Sequence, residues 1–484
     1  MPLPNEGHPR TAARRRRARG WAMPPIAALM AAIALASCGE ARAEQPQGEY
    51  AQREVVVRYA ARTSSGAWAA TAKVAGAEDP AKAVQHTRLL RLAKGVSVQR
   101  ALRALRRQRD VVWAAPDYKA RAAGGLIPND PGPKLGGASR DWQRLQSGDW
   151  QQLQWNFAGQ FGVGAPEAWA NVLAEGAPGG RGTIVAVLDT GVAYANRGRY
   201  RRSPDFSAYS FVTGYDFIAR TRYADDHNGH GTFVAGTIAE ATNNRFGLTG
   251  LAFAARIMPV RVLNGEGEGY ASTIAEGVLF AVRHGAKIIN LSLEFSSDVT
   301  AGDIPELIDA LRYANRHGVL VVAAAGNEGH AAIAYPARAP HVIAVGATTE
   351  HGCLADYSNY GSGLTLVAPG GGADASLQGD PNCHPELPAG RDVFQMTFTG
   401  SSPRRFGFPP GYEGTSMAAP HVTATAALII AGGVLGRRPT PAQITARLRA
   451  TARQLGGPGD GGLYGAGLLD AAAATARRGR SAAR

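Results

Sequence analysis

Residues 184–191 read Ile184-Val185-Ala186-Val187-Leu188-Asp189-Thr190-Gly191, five apolar residues running without a break into a carboxylate and a turn-forming glycine. A strand with one wet face alternates apolar and polar residues, so an unbroken apolar run of strand length is buried on both faces. That is the condition of a parallel sheet lying between helices. Outward from this run the pattern recurs at 257–262, 287–293, 319–325 and 342–347, with helical segments between. The expected fold class from about 150 to 475 is α/β, a mostly parallel sheet sandwiched by helices. In such sheets reactive residues lie just beyond the carboxyl ends of strands, which makes Asp189 a candidate.

At 484 residues the chain calls for two or three folding units, and 45% apolar residues suffice for a large core. Upstream, Val55-Val56-Val57-Arg58-Tyr59 reads as a strand. Apolar residues at 98, 101, 102 and 105 have helical spacing, and 111–118 reads as a closing strand. Together they predict a small α+β unit over 53–121, followed by a loop rich in Pro, Gly and Asn. Residues 371–411, rich in Gly, Pro and Ser, read as a long surface insertion, and 477–484 as a solvated basic tail.

The net charge of +14 invites a nucleic-acid reading, but the charge is unevenly placed. Residues 1–37 carry +5, 38–125 carry +8 and 477–484 carry +4, whereas 126–476 carry −3. The basic character belongs to the flanks of the large domain, so no nucleic-acid partner is expected.

At the N-terminus a basic run, Arg10, Arg14 to Arg17 and Arg19, precedes an apolar stretch from Trp21 to Ala36. This reads as an export signal over 1–37 rather than a membrane span. Leu35-Ala36-Ser37-Cys38 resembles a bacterial lipobox, which implies acylation of Cys38. By the same analogy Gly39 favours the outer membrane. The alternative is an ordinary signal peptide cut after Ala43. Residues 38–52 read as a polar tether, so membrane association is expected only through a lipid anchor. The expected location is an outer-membrane or cell-surface lipoprotein, or a secreted protein if the tether is cut. With Cys38 lipidated, Cys353 and Cys383 remain as an even pair in an oxidising compartment, either a disulfide or two buried thiols.

Three segments carry chemistry. Asp189 ends its strand in a tight turn. Asn228-Gly229-His230-Gly231-Thr232 places a histidine at the mouth of a small-residue helix, and Gly414-Thr415-Ser416-Met417-Ala418 places a serine at another helix start. A hydroxyl is a weak nucleophile that needs a base, and the base needs a carboxylate to set its tautomer. Singly, each has a structural alternative: a turn-forming Asp, a Gly-His-Gly turn, an N-cap Ser. Among competing histidines, His421 on the serine's own helix reads as a packed core residue, and His227 lacks a comparable flank.

Together, in the order Asp, His, Ser with these flanks, the segments resemble the subtilisin superfamily of serine proteases over roughly 150–475. The resemblance implies a peptidase domain over 122–476 that hydrolyses protein or peptide substrates through an acyl-enzyme as a monomer. It also implies that Asn327, in Ala323-Ala324-Ala325-Gly326-Asn327-Glu328-Gly329, donates its amide to the oxyanion. The 53–121 unit resembles the inhibitory propeptide of such enzymes, which implies an intramolecular inhibitor cleaved between Tyr118 and Pro128; an independent adaptor domain is the alternative. Asn243-Asn244-Arg245-Phe246-Gly247-Leu248 resembles the family's calcium loop. That resemblance implies the Asn244 side chain and the Phe246 and Leu248 carbonyls as ligands, with Asp130 and Asp205 at positions of acidic ligands in thermophilic relatives. A Gly/Asn turn without metal is the alternative.

The substrate strand is expected between Gly267, Glu268 and Gly269 on one edge and Leu293, Glu294 and Phe295 on the other, with Ala325 and Gly326 at the pocket. Here the chain departs from the family, which usually has Leu-Gly-Gly where Leu293-Glu294-Phe295 stand. Glycine there lets backbones approach closely, so a broad hydrophobic pocket is in doubt, and Ala334 at the pocket base narrows it further. Glu266, Glu268 and Glu294 favour Lys or Arg in the substrate, as in the kexin-like branch, or are solvated glutamates with broad specificity. Two other functions remain at this level: an inactive anchored binding protein that keeps the fold, and a non-proteolytic ester or amide hydrolase.

Overall fold

The computed structural model describes residues 50–78, 83–84, 86–118, 126–132, 150–456 and 461–477. The chain divides into two compact units after Ala122. The export signal, Cys38 and the tail beyond Arg477 lie outside the described residues.

The first unit is an antiparallel sheet with two helices. Its elements are β1 (Tyr50–Tyr59), α1 (Ser65–Val74), β2 (Ala77–Glu78), β3 (Ala83–Val84), β4 (Thr87–Leu92), α2 (Val98–Arg106) and β5 (Val111–Tyr118). The strand order is β2-β4-β1-β5, with β3 on β4. Helix α2 buries Val98, Ala101, Leu102 and Leu105, the four positions whose spacing predicts it, and Ser97 caps its first turn. Two features differ from expectation. Strand β1 starts inside the stretch read as a tether, because the Tyr50 backbone pairs with Tyr118. Helix α1 and strand β4 carry no clear signal in the sequence: α1 is mostly small residues, and in β4 the adjacent Leu89 and Leu90 between Arg88 and Arg91 break the strand alternation.

The second unit opens with two short helical turns, α3 (Trp150–Leu153) and α4 (Trp155–Ala158), then α5 (Ala165–Ala174). Its sheet strands are β6 (Ile184–Asp189), β7 (Tyr215–Asp216), β8 (Arg256–Arg261), β9 (Ile288–Leu291), β10 (Leu320–Ala324), β11 (Val342–Thr348) and β12 (Leu366–Pro369). The order is β12-β11-β10-β9-β6-β8-β7, and every pairing is parallel. Between the strands run α6 (His230–Ala239), α7 (Ala271–Arg283), α8 (Pro305–Arg316) and, after them, α9 (Thr415–Gly432).

The continuous apolar runs now have their explanation. Along β6, Val185 and Val187 pack into one core with residues of α5, α6 and α9, while Ala186 and Leu188 pack into a second core with residues of α7 and α8. Each strand serves two helical layers, and a fully buried Val or Leu contributes roughly 1.5–3 kcal/mol. Strand order reverses beside β6, with β8 on one side and β9 on the other, so the sheet's switch point opens where Asp189 ends the strand. Among the described residues α9 alone is long and apolar enough to span a membrane, and it is buried in this core.

The 371–411 stretch is not simply a surface insertion. It holds a hairpin of β13 (Thr397–Phe398) and β14 (Phe406–Gly407), and Val393, Gln395, Met396 and Thr397 are buried. The Trp155 indole donates to the Asp392 carbonyl, and Cys353 is joined to Cys383 by a disulfide. Gly, Pro and Ser dominate the average composition and mask the short apolar run at 393–398 that enters the core.

Candidate active site

Asp189 is fully buried at the end of β6, and its Oδ1 accepts a hydrogen bond from His230 Nδ1 at 2.8 Å. The Thr190 backbone N–H donates to the same oxygen at 2.7 Å, while Oδ2 has no partner. His230 is the first residue of α6, and its ring reaches Asp189 because the two backbones approach closely. A Cβ at Gly231 would stand 2.1 Å from the Gly191 carbonyl oxygen and 3.0 Å from Asp189 Cβ, so only glycine fits. Burial works against a charged His230, but the charge and hydrogen bond of Asp189 outweigh it and hold the imidazole above its ordinary value.

Asp226, which no motif in the sequence marks as functional, organises this corner. Its Oδ1 accepts from Thr190 Oγ1, Asn228 N–H and Gly229 N–H, each at 2.9 Å, and its Oδ2 accepts from the Thr232 N–H and hydroxyl. These bonds satisfy free donors at the start of α6 and tie the strand end to the helix that carries His230. The signal was legible as an Asp four residues before the histidine, but only as an ordinary cap.

Ser416 is the second residue of α9, in the first turn, whose N–H groups have no intrahelical acceptor. Its hydroxyl donates to the Ser292 carbonyl at 3.2 Å rather than to His230. Asn327 lies just past β10. Its Oδ1 accepts from the Thr415 N–H at 2.7 Å and the Thr415 hydroxyl at 2.9 Å. Its N–H and Nδ2 donate to Glu294 at 2.8 and 3.0 Å.

His230 and Ser416 open onto one cleft of about 570 Å³, walled by Gly267, Glu268 and Gly269 on one side and Leu293, Glu294 and Phe295 on the other. Ala325 and Gly326 do not line it: Ala325 is buried, and the Glu294 carboxylate covers Gly326. Ala334 is buried too, its N–H bonded to the Ala325 carbonyl. Glu266 is exposed at the cleft, and Glu268 is held by Asn264. Of the competing histidines, His421 is buried between Asn156 and the Met417 carbonyl, and burial lowers it to about 4. His227 stacks on Tyr200 and shares a hydrogen bond with its hydroxyl.

Away from the cleft, Asp130 and Asp205 are fully buried around the 243–248 loop. Asp130 accepts from the Asn243 and Asn244 N–H groups at 2.7 and 2.9 Å. Asp205 accepts from Asn244 Nδ2 at 2.8 Å and the Leu248 N–H at 2.9 Å, while the Phe246 N–H bonds back to Asn244 Oδ1. Glu240, also fully buried, has no hydrogen-bond partner on either oxygen. Burial pushes all three carboxyls upward.

A parallel sheet whose switch point gathers a buried Asp–His pair, a helix-start serine and an asparagine amide defines the class of serine hydrolases. The Subtilase family profile matches residues 180–467, and the fervidolysin N-terminal prodomain profile matches 38–117. The chain is similar to Subtilisin BL of Lederbergia lenta, 38% identical over 300 residues that span 61% of this chain and 91% of that one. It is also similar to the thermophilic serine proteinase of Bacillus sp. (strain AK1), 31% identical over 81% of this chain and 82% of that one. Among solved structures, a protease of Pseudoalteromonas arctica PAMC 21717 superposes with a TM-score of 0.55 at 30% identity, covering 72% of this chain and 98% of that one. The chain belongs to the subtilase family and is a subtilisin-like serine protease with an N-terminal prodomain.

Proposed function

We propose that the protein is an exported endopeptidase whose nucleophile is Ser416, with His230 as general base and Asp189 as its orienter. The observation that carries this is the 2.8 Å Asp189–His230 bond opening onto the same cleft as Ser416. The resting Ser416 hydroxyl turns from Ser292 toward His230 once substrate is seated; such bonds are commonly long before the reacting complex forms. Ser416 Oγ then attacks the scissile carbonyl carbon while His230 takes its proton. The imidazolium is stabilised by Asp189, and the oxyanion by the Ser416 N–H and the Asn327 amide. His230 passes the proton to the departing amine, leaving an acyl-enzyme, and the same base then activates water to release the acid. A serine-directed fluorophosphonate should add its mass to the Ser416 peptide alone, and the labelled protein should no longer digest casein. Labelling elsewhere, or casein digestion by the fully labelled protein, would remove this assignment.

Export, acylation of Cys38 and inhibition by the prodomain complete the reading. The +8 of residues 38–125 against the −3 of 126–476 favours association of prodomain and peptidase electrostatically.

Calcium fits the 243–248 loop. Asp130, Asp205, the Asn244 side chain and the Phe246 and Leu248 carbonyls are the hard oxygen donors it takes, and buried Glu240 lies close enough to Asp205 and Asp130 for their charges to oppose its own. Among the described residues no three acidic, His or Cys side chains form a metal cluster by themselves, so carbonyls and the amide would complete the shell. The ion would brace the loop. At a hundredfold excess over its dissociation constant it adds about 2.7 kcal/mol. Chelation should therefore lower the melting temperature by roughly 5 °C, read by calorimetry; an unchanged melt would exclude the site.

A further inference from the structure

Glu294 lines the cleft that holds His230 and Ser416, and its carboxylate is already engaged. Its Oε2 accepts the Asn327 N–H at 2.8 Å and its Oε1 accepts Asn327 Nδ2 at 3.0 Å. The orientation of that amide is set independently. Asn327 Oδ1 receives two donors from Thr415, at 2.7 and 2.9 Å, so the NH2 end must face Glu294. The neighbouring backbone accommodates this arrangement: Gly326 has φ +115, and a Cβ on it would lie 2.6 Å from Glu294 Oε2.

In the resting protein an anion thus sits on the group assigned to stabilise a developing anion. It occupies one of the two Nδ2 hydrogens and opposes negative charge on the substrate oxygen. A neutral substrate side chain leaves that charge in place. A Lys or Arg head entering the cleft beside Leu293 and Phe295 can pair with the carboxylate, cancel its field and draw it from Asn327. Glu294 is exposed at the cleft, yet desolvation by its surroundings pushes its carboxyl upward against the pull of Asn327, so a cationic partner that covers it in the bound state would be favoured.

Resting on the protease reading above, we infer that Glu294 is a specificity-determining residue that makes the oxyanion site conditional on a cationic side chain at the residue preceding the scissile bond. Such a residue does more than attract Lys and Arg: it lets them raise kcat, not only lower KM.

The test is steady-state kinetics on matched peptide amides ending in Lys, Arg or Leu, for the natural protein, Glu294→Gln and Glu294→Gly, with Ser416→Ala as blank. The natural protein should prefer Lys and Arg by about 10-fold, the scale of a charge pair that bound substrate only partly removes from water, with most of the difference in kcat. Glu294→Gln keeps the shape and loses the charge; it should raise kcat on the Leu substrate by about 10-fold and flatten the preference. Benzamidine, a small cationic probe, should inhibit the natural protein at least 10-fold more strongly than Glu294→Gln, a readout that stands if Glu294→Gly does not fold. An unchanged Lys/Leu ratio in Glu294→Gln, a difference confined to KM, or equal benzamidine inhibition would overturn the inference. Turnover that depends on Ser416 but not on Glu294 overturns this inference alone; turnover equal in Ser416→Ala overturns the protease assignment with it.

Discussion

Replacing Ser416 with alanine should lower kcat by about 10⁶-fold, the size of loss a subtilisin suffers without its nucleophile, with KM nearly unmoved. The reason lies in the division of labour. Removing Oγ ends acyl-enzyme formation, while the Ser416 N–H survives in the alanine variant and the Asn327 amide stays held by Thr415. What remains is binding and oxyanion stabilisation, worth roughly 10³–10⁴ over water. Ser416 lies in the first turn of α9 and its hydroxyl bonds only the Ser292 carbonyl, so the fold should lose no more than about 1 kcal/mol. Single-turnover kinetics with a chromogenic peptide, alongside a melting curve, separate the two effects. A variant keeping more than a hundredth of the activity would show that another group is the nucleophile.

Replacing Asp189 with asparagine should cost about 10⁴-fold in kcat at neutral pH. An amide at this position can turn its NH2 toward His230 Nδ1. The ring would then carry its proton on Nε2, the atom that must receive it from Ser416. The pH profile gives a second signature. Asp189 holds the imidazole above its ordinary value, and the base works only when neutral. Activity of the natural protein should therefore rise through an acid limb centred above about pH 6.5, the unperturbed imidazole value. Loss of the carboxylate's charge should move that limb downward. A limb unchanged in Asp189→Asn would mean that some other group sets it. The variant also tests the unpartnered Asp189 Oδ2: a neutral side chain removes a buried charge, so the melting temperature should fall less than activity does.

The prodomain carries a related lesson about local signals. Its helix α2 was legible because four apolar residues at helical spacing face one core, whereas α1 offered mostly Ala, Gly and Ser, whose burial follows from what packs on them. The hairpin at 397–407 was hidden for a similar reason: a few apolar residues inside a Gly- and Pro-rich stretch enter the core only because α6 and its neighbours leave space there. Composition averages over a segment, and burial acts residue by residue.

By itself the sequence determined the sheet and the motifs on which the proposed chemistry rests. Unbroken apolar runs require two covered faces, so the parallel sheet between helices followed from residues such as Val185 to Leu188. The Asp189, His230 and Ser416 motifs were each contiguous enough to be read locally. Tertiary structure alone decided how these parts face one another. It supplied Asp226, whose five hydrogen bonds join β6 to α6. It also changed the standing of Glu294, which as a letter could be a solvated glutamate or part of an acidic pocket. The physical reason is distance along the chain. Asn327 is 33 residues beyond Glu294 and Thr415 another 88, and only the sheet's switch point brings a carboxylate, an amide and a helix start within hydrogen-bonding reach.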